Sequence, residues 1–284
     1  MSKGTLYVVA TPIGNLGDMT ARAIDVLSSV DLIAAEDTRH SAKLLRHFGI
    51  HTKMLAVHEH NERDQETKLL EQLRHGKSIA LISDAGTPLI SDPGYALVRA
   101  AHAADIRVVA IPGACAAVAA LSVSGLPSDR FAFEGFLPPR GPARRAVLER
   151  LAGEPRSIIF YEAPHRILEC LQDMAEVFGP EREATVVREL TKQFETVRTD
   201  TLEQLLAWLQ RHEEQQQGEF VVLIRGAPRA LDTEETAEAE RVLDILLQDL
   251  PVSQAAELAA RITGAPKNRL YKRALTLRVD KNPP

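Results

Sequence analysis

The chain has 284 residues, of which 45% are hydrophobic and 26% charged, and its formal net charge is −5. These proportions exclude a disordered or collagen-like chain, and the acidic balance excludes a strongly basic surface over the whole protein. No apolar run approaches the roughly 18–20 residues that cross a bilayer, and the first residues lack a signal-peptide pattern. We therefore expect a cytoplasmic protein without a membrane span.

Five short apolar runs alternate with helical patterns in the first part of the chain. The predicted strands cover residues 5–11, 31–35, 53–58, 78–83 and 107–111, and the predicted helices cover 18–29, 39–48, 62–75 and 94–104. Short strands that alternate with helices are typical of βαβ units. This pattern predicts an α/β domain over 1–124, with a parallel sheet covered on both faces.

A second α/β block follows a Gly- and Pro-containing boundary at 125–129. Strands are predicted at 131–136, 157–161, 183–189 and 219–225, and helices at 142–151, 164–177 and 202–211. The apolar alternation is weaker here, so the sheet is antiparallel or mixed. We assign this second domain to 125–230.

The last segment, 231–284, is predicted to be entirely helical. Its helices cover 237–250, 254–262 and 267–277, with Ser253 as a helix N-cap and Gly264 as a C-cap. Acidic residues dominate the first helix and basic residues the last. Two interpretations stay open: a helix-turn-helix that faces nucleic acid, or a helical cap with a solvated basic face.

Cysteine and histidine spacing bears on metal binding. The two cysteines, Cys115 and Cys170, form no CxxC pair. The two histidines of the 58–60 segment are two positions apart, and we interpret them as the polar end of a strand rather than as a metal site. We predict neither a disulfide framework nor a metal cofactor.

Three loops of small residues follow the predicted first, fourth and fifth strands, at 11–18, 83–94 and 112–116. Ligands of open α/β sheets bind outside the carboxyl ends of the strands, where these loops begin. None of the loops is a GxGxxG or Walker A sequence, so a dinucleotide or nucleoside triphosphate is disfavoured. We predict one ligand site where the three loops meet.

Several motifs occur together and in order along the chain. They are TPIGNLGD at 11–18, EDTR at 36–39, HEHNE at 58–62, the 83–94 loop, YEAPHR at 161–166 and ELTK at 189–192. This ordered set resembles the bacterial methyltransferases that modify the ribose 2′-hydroxyl of a cytidine in small-subunit (16S) ribosomal RNA. That family is a branch of the tetrapyrrole (corrin/porphyrin) methylase superfamily.

The resemblance implies a fold and a cofactor. It implies two α/β domains with S-adenosylmethionine in the cleft between them, a small C-terminal helical domain and a homodimer. It places these residues at the cofactor: Pro12, Gly14, Asp84, Gly86, Thr87, Cys115, Ala116, Tyr161 and Ala163. Cys115 stands where many members of the superfamily carry a hydroxyl residue.

The same resemblance implies a reaction and a partner. A 2′-hydroxyl is weakly acidic, so a positioned proton acceptor helps its methylation. The candidates are Glu36, Asp37, His58 and Glu189, and the sequence does not choose among them. The partner is 16S rRNA or the assembled small ribosomal subunit. The candidate RNA-binding residues are Arg39, Arg166, Arg188, Lys192, Lys267, Arg269, Lys272 and Arg273.

Two other functions compete with this one. A corrin or porphyrin methylase would keep the fold and change the substrate, but the basic helical tail has no evident role on a tetrapyrrole. A DNA-binding regulator would use the last two helices and sense a small ligand in the loops.

Overall fold

The computed structural model describes residues 3–57, 62–228 and 230–281. Its contacts divide the chain into two compact units, Met1–Arg225 and Gly226–Pro284. The first unit holds two five-stranded sheets and the second holds three helices. The predicted division of the first unit between residues 124 and 125 stays a prediction. Among the described residues, no helix is both long enough and apolar enough to cross a membrane.

The first sheet is fully parallel, as predicted. Its strands are β1 (Thr5–Val9), β2 (Leu32–Ala35), β3 (Met54–Ala56), β4 (Ile79–Ile82) and β5 (Arg107–Ile111), in the order β3-β2-β4-β1-β5. Five helices accompany them: α1 (Ala21–Ser29), α2 (Thr38–His47), α3 (Glu62–Arg74), α4 (Tyr95–Ala103) and α5 (Ala116–Val123).

Apolar cores cover both faces of the first sheet, as is usual for a parallel sheet. Every residue of β2 and β4 is buried. Leu6 and Ile79 contribute to the core on one face, and Val9 and Ile33 to the core on the other. Strands covered on both faces are continuously apolar, which is the pattern of their sequences.

The second sheet is mixed. Its strands are β6 (Phe131–Phe136), β7 (Ser157–Glu162), β8 (Glu183–Arg188), β9 (Thr196–Thr201) and β10 (Phe220–Ile224), in the order β6-β7-β10-β8-β9. Only β6 and β7 pair in parallel. One face packs on α6 (Gly141–Leu151), α7 (Ile167–Phe178) and α8 (Leu202–Arg211). The sequence analysis missed β9, a polar edge strand.

Helix α5 joins the two sheets into one unit. It follows β5 of the first sheet, and its buried residues pack on the second sheet. Ala120 and Leu121 belong to a core that includes Ile159 of β7 and Val221 of β10. Only part of α5 is buried in this way, because its residues Val118 and Val123 are 55% and 48% exposed.

The C-terminal unit contains α9 (Ala230–Asp249), α10 (Val252–Thr263) and α11 (Lys267–Lys281). Leu243, Leu270 and several alanines of α10 and α11 form its core. The sequence prediction of an N-cap at Ser253 was wrong, because α10 begins at Val252, two residues earlier than predicted, and Pro251 occupies the cap position. Gly264 closes α10 with a φ of 76°, the left-handed conformation that favours glycine, as predicted.

Candidate active site

The loops after β1 and β4 are tied together by backbone hydrogen bonds. The Thr11 amide donates to the Gly86 carbonyl over 2.9 Å, and the Gly86 amide donates to the Thr11 carbonyl over 3.1 Å. Gly86 has a φ of 81°, and a Cβ added there would lie 3.3 Å from Cγ2 of Ile13. The junction therefore favours glycine, both for its backbone conformation and for the close contact.

The loop after β5 joins the same edge of the sheet. The Thr87 hydroxyl donates to the Ala114 carbonyl over 2.9 Å. Helix α5 then begins behind Cys115, whose side chain makes no capping hydrogen bond. The structure thus brings the three predicted loops together, as their positions at the carboxyl ends of parallel strands imply.

Tyr161, at the end of β7, covers this edge from the second sheet. Its hydroxyl accepts a hydrogen bond of 3.1 Å from the Ala117 amide in the first turn of α5. Its ring packs edge-on against Phe133 and Phe136. Burial raises the pKa of Tyr161 to about 12, so its hydroxyl is neutral near pH 7. Predicted cofactor residues from both sheets, Cys115 and Tyr161 among them, therefore lie side by side.

Four acidic residues, Glu36, Asp37, Asp84 and Asp92, lie close together near the ends of β2 and β4. The Asp84 amide donates to the Glu36 carboxylate over 3.4 Å, and the Asp37 amide donates to the Asp84 carboxylate over 3.1 Å. Burial raises the pKa of Glu36, and the charges of Asp84 and Asp37 add to the rise. Burial also raises the pKa of Asp92, to about 6, with the charges of Glu36 and Asp84 contributing.

Asp92 was not among the predicted proton acceptors. The sequence analysis singled out its loop but gave that carboxylate no role. A carboxylate with a pKa near 6 can accept a proton close to neutral pH, which an ordinary exposed aspartate does poorly. The available signal was a second aspartate in a short, rigid loop that follows a buried strand.

Replacing Asp92 by asparagine should stabilise the protein at alkaline pH. The pKa of this carboxyl is 3.8 ordinarily and about 6 in the fold, so its contribution to stability is present in acid and lost as the pH rises through about 6. We expect Asp92→Asn to raise the free energy of unfolding by about 1 kcal/mol at alkaline pH, after allowance for solvent screening.

Urea unfolding of both proteins at about pH 4 and about pH 8 measures this difference, which should be small at the lower pH. Asp25→Asn, at an exposed position on α1, is the matched control. A stability change that is the same at both pH values would mean that the Asp92 carboxyl is not desolvated.

Asp37 has a structural role at the start of α2. Its carboxylate accepts a hydrogen bond of 2.7 Å from the Arg39 amide and pairs with the Arg39 guanidinium at 3.0 Å. Hydrogen bonds from Arg39 lower the pKa of Asp37 to about 2. A carboxylate held in this way caps a helix well and accepts protons poorly. The Arg39 side chain itself is 91% exposed.

Glu189 and Lys192 form a pair in the loop after β8. The Glu189 carboxylate accepts from Lys192 Nζ over 2.9 Å and from the Glu219 amide over 3.0 Å. Burial raises the pKa of Glu189, but these hydrogen bonds outweigh it and lower the value. The Lys192 side chain also covers Gly14, because a Cβ added at Gly14 would lie 2.5 Å from Lys192 Cγ. Lys192 thus lies between the two sheets.

Two of the predicted RNA-binding arginines point into the protein. Arg166, 15% exposed, donates to the Leu137 carbonyl over 2.7 Å and pairs with the fully buried Glu162 at 3.0 Å. Arg188, 7% exposed, donates to backbone carbonyls of the neighbouring loops. Both side chains are largely buried, so we leave both arginines out of the RNA-binding set proposed below.

Other predicted residues are placed as follows. Ala163 follows β7, and its amide donates to the Glu162 carboxylate over 2.7 Å. His58 lies outside the described residues.

The basic residues of α11 divide into two groups. Lys267 pairs with Glu257 at 2.8 Å and Arg273 with Glu240 at 3.3 Å. Arg269 and Lys272 are exposed. Within the described chain, no group of three or more His, Cys, Asp or Glu side chains could hold a metal ion.

An open pocket of about 240 Å³ adjoins the loop after β1. We call it the α2 pocket. It is lined by Pro12, Gly14, Leu16, His40, Lys43, Leu44 and Asp84. Three of these, Pro12, Gly14 and Asp84, are predicted cofactor residues, so the pocket borders the predicted cofactor site.

Family models match both parts of the chain. The model described as Tetrapyrrole (Corrin/Porphyrin) Methylases matches residues 5–206, and the model described as RsmI C-terminal HTH domain matches residues 233–278. The solved structure of the methyltransferase CobJ superposes with a TM-score of 0.58 at 20% identity, over 80% of this chain and 97% of that one. This similarity shows a shared fold.

Curated relatives match nearly the whole chain. Ribosomal RNA small subunit methyltransferase I of Pseudomonas aeruginosa is 58% identical over 97% of this chain and 98% of its own length. The protein of that name from Escherichia coli O157:H7 is 52% identical over 96% of each chain. The chain belongs to the tetrapyrrole methylase family and, within it, to the ribosomal RNA small subunit methyltransferase I branch. The resemblance drawn from the motifs is thereby confirmed.

Proposed function

We propose that this protein is an S-adenosylmethionine-dependent methyltransferase that acts on the ribose 2′-hydroxyl of a cytidine in 16S rRNA. The observation that carries the proposal is the 58% identity, over nearly the full length, to a ribosomal RNA small subunit methyltransferase I. The match of residues 233–278 to the C-terminal domain of that branch supports it further. The corrin-methylase and DNA-regulator alternatives lack comparable support.

The residues at the edge of the first sheet fit the proposed cofactor. The Cys115 side chain does not cap α5, and the Ala117 amide donates to the Tyr161 hydroxyl, so the remaining amides of the first turn would receive a carboxylate such as that of the methionine moiety. Gly86, Thr87, Cys115 and Ala116 would lie against the cofactor, and Tyr161 would cover it. S-adenosylmethionine supplies an activated methyl group when bound, so the protein chiefly has to align the acceptor hydroxyl.

We propose that the carboxylate of Glu36 or of Asp92 accepts the proton of the 2′-hydroxyl. Their raised pKa values suit a group that takes a proton from a weakly acidic hydroxyl near neutral pH. Asp37 and Glu189 have lowered pKa values, and their carboxylates already accept hydrogen bonds from Arg39 and Lys192.

Contacts to RNA phosphates would come from both units. In the first unit the proposed residues are Arg39 and Lys192, and in the second they are Lys267, Arg269, Lys272 and Arg273. Such contacts release counterions from the RNA, so binding should weaken steeply as the salt concentration rises. The proposal includes a homodimer in the cytoplasm, with 16S rRNA or the assembled small subunit as the substrate.

The test is methyl transfer to small ribosomal subunits from cells that lack the gene, with labelled S-adenosylmethionine. We expect label in rRNA, and mass spectrometry should place it on the ribose of one cytidine. Corrin precursors and duplex DNA serve as comparison substrates. Label on a base, or transfer only to a tetrapyrrole, would contradict the proposal.

A further inference from the structure

We propose that the α2 pocket binds one nucleotide of single-stranded RNA, with the phosphate at its cationic rim and the base against its apolar wall. This inference deepens the proposed function and rests on it for the identity of the ligand. The residues that line the pocket match the parts of a nucleotide in three respects.

The rim of the pocket carries two donors that suit a phosphate. His40 and Lys43 stand three residues apart on α2 and therefore lie on the same face of the helix. Both are exposed, and within the part of the chain that the structure describes, neither side chain has a hydrogen bond or ion pair. Lys192 and Lys267, by contrast, are each paired with a carboxylate. The Lys43 ammonium and the His40 imidazole are thus available to an anion from outside.

The wall of the pocket is apolar. Leu16 is 42% exposed although it is a large apolar residue, and Leu44 and Pro12 lie beside it on the pocket surface. A base packed here would cover Leu16 and remove apolar surface from water. Unpaired bases of single-stranded RNA are free to pack against such surfaces, whereas bases within a duplex are not.

Asp84 contributes a carboxylate to the lining of the pocket. One of its carboxylate oxygens accepts the Asp37 amide, and a carboxylate has further acceptor positions. These can accept from a ribose hydroxyl or from the amino group of cytosine. Because Asp84 also belongs to the carboxylate cluster with Glu36, a nucleotide in this pocket lies next to the proposed proton acceptors.

The test compares the binding of a short, fluorescently labelled oligocytidylate by the wild type and three variants. Lys43→Gln removes the ammonium charge of the rim and His40→Gln removes its imidazole, and Arg46→Gln removes an exposed cation of the same helix that does not line the pocket. We expect Lys43→Gln to bind on the order of tenfold more weakly, since one charged contact is of that size, and His40→Gln to bind more weakly because it loses the imidazole contact. For Lys43→Gln the dependence of log K on log salt should also become shallower by about 0.7, the value per phosphate contact on a single strand. Arg46→Gln should bind like the wild type.

Three results would overturn the inference: no binding by the wild type, wild-type binding by both rim variants, or an equal loss with Arg46→Gln. A loss of S-adenosylmethionine affinity in the rim variants, measured by calorimetry, would assign the pocket to the cofactor instead. Methyl transfer to small subunits is measured separately on the wild type. If that transfer fails while the rim variants still weaken oligocytidylate binding, the proposed function falls and the pocket stands.

Discussion

Valine in place of Gly86 is expected to abolish binding of S-adenosylmethionine and to slow methyl transfer by at least about 100-fold, the cost of a misplacement of ~1 Å at a reacting centre. Gly86 has a φ of 81°, and Ile13 Cγ2 lies 3.3 Å from the position of an added Cβ. A β-branched residue is strongly disfavoured at such a φ. The loop must therefore shift and lose its paired hydrogen bonds to Thr11.

Gly49→Val is the matched control for this change. Gly49 has a φ of 67°, and no heavy atom lies within 4 Å of an added Cβ. It carries a similar backbone penalty away from the loops of the site. Calorimetry should show normal cofactor affinity for this variant and none for Gly86→Val, with both proteins folded by circular dichroism. Equal affinity in the two variants would remove the loop after β4 from the cofactor site.

Removing the Arg166 guanidinium is expected to destabilise the protein by about 3 kcal/mol, because it leaves the charge of Glu162 buried without its partner. Glu162 is fully buried, and Arg166 also donates to the Leu137 carbonyl at the end of β6. The pair thus connects the ends of two strands next to Tyr161. Arg166→Met preserves much of the side-chain volume, so the effect reports the charge and the hydrogen bonds.

A double-mutant cycle with Glu162→Gln separates pairing from other losses. Residues that share an ion pair are not additive, so the double variant should lose less stability than the sum of the two single variants. Arg39→Met is the control, because that side chain is 91% exposed, and we expect no measurable loss there. Unchanged unfolding of Arg166→Met together with weaker RNA binding would return Arg166 to the RNA-contacting set.

The strands and loops of the first sheet could be predicted because their signals are local. A parallel strand buried on both faces is apolar along its whole length, and β2 and β4 have this pattern. The loops that follow such strands meet at one edge by geometry alone, so the convergence of the loops with Gly86 and Cys115 needed no tertiary information. By contrast, β9 alternates weakly and lies at an edge, where burial does not constrain its sequence.

The roles of charged residues could not be predicted, because they depend on burial. An arginine in a motif can be exposed, as Arg39 is, or buried, as Arg166 is. The neighbouring residues in the sequence do not distinguish the two orientations. The raised pKa of Asp92 likewise arises from desolvation and from Glu36, more than fifty positions away in sequence. Such long-range effects on a pKa arise only when the chain is folded.

The position of β1 between β4 and β5 has a consequence for synthesis on the ribosome. Leu6 pairs with Ile79, and Thr5 pairs with Arg107, so both neighbours of the first strand are made much later than the strand itself. Because the ribosome adds ~5–20 residues per second, both edges of β1 stay unpaired for several seconds. Unpaired apolar strands are templates for pairing with other chains. The nascent chain therefore passes through an aggregation-prone stage that the finished sheet, with β1 enclosed on both sides, no longer has.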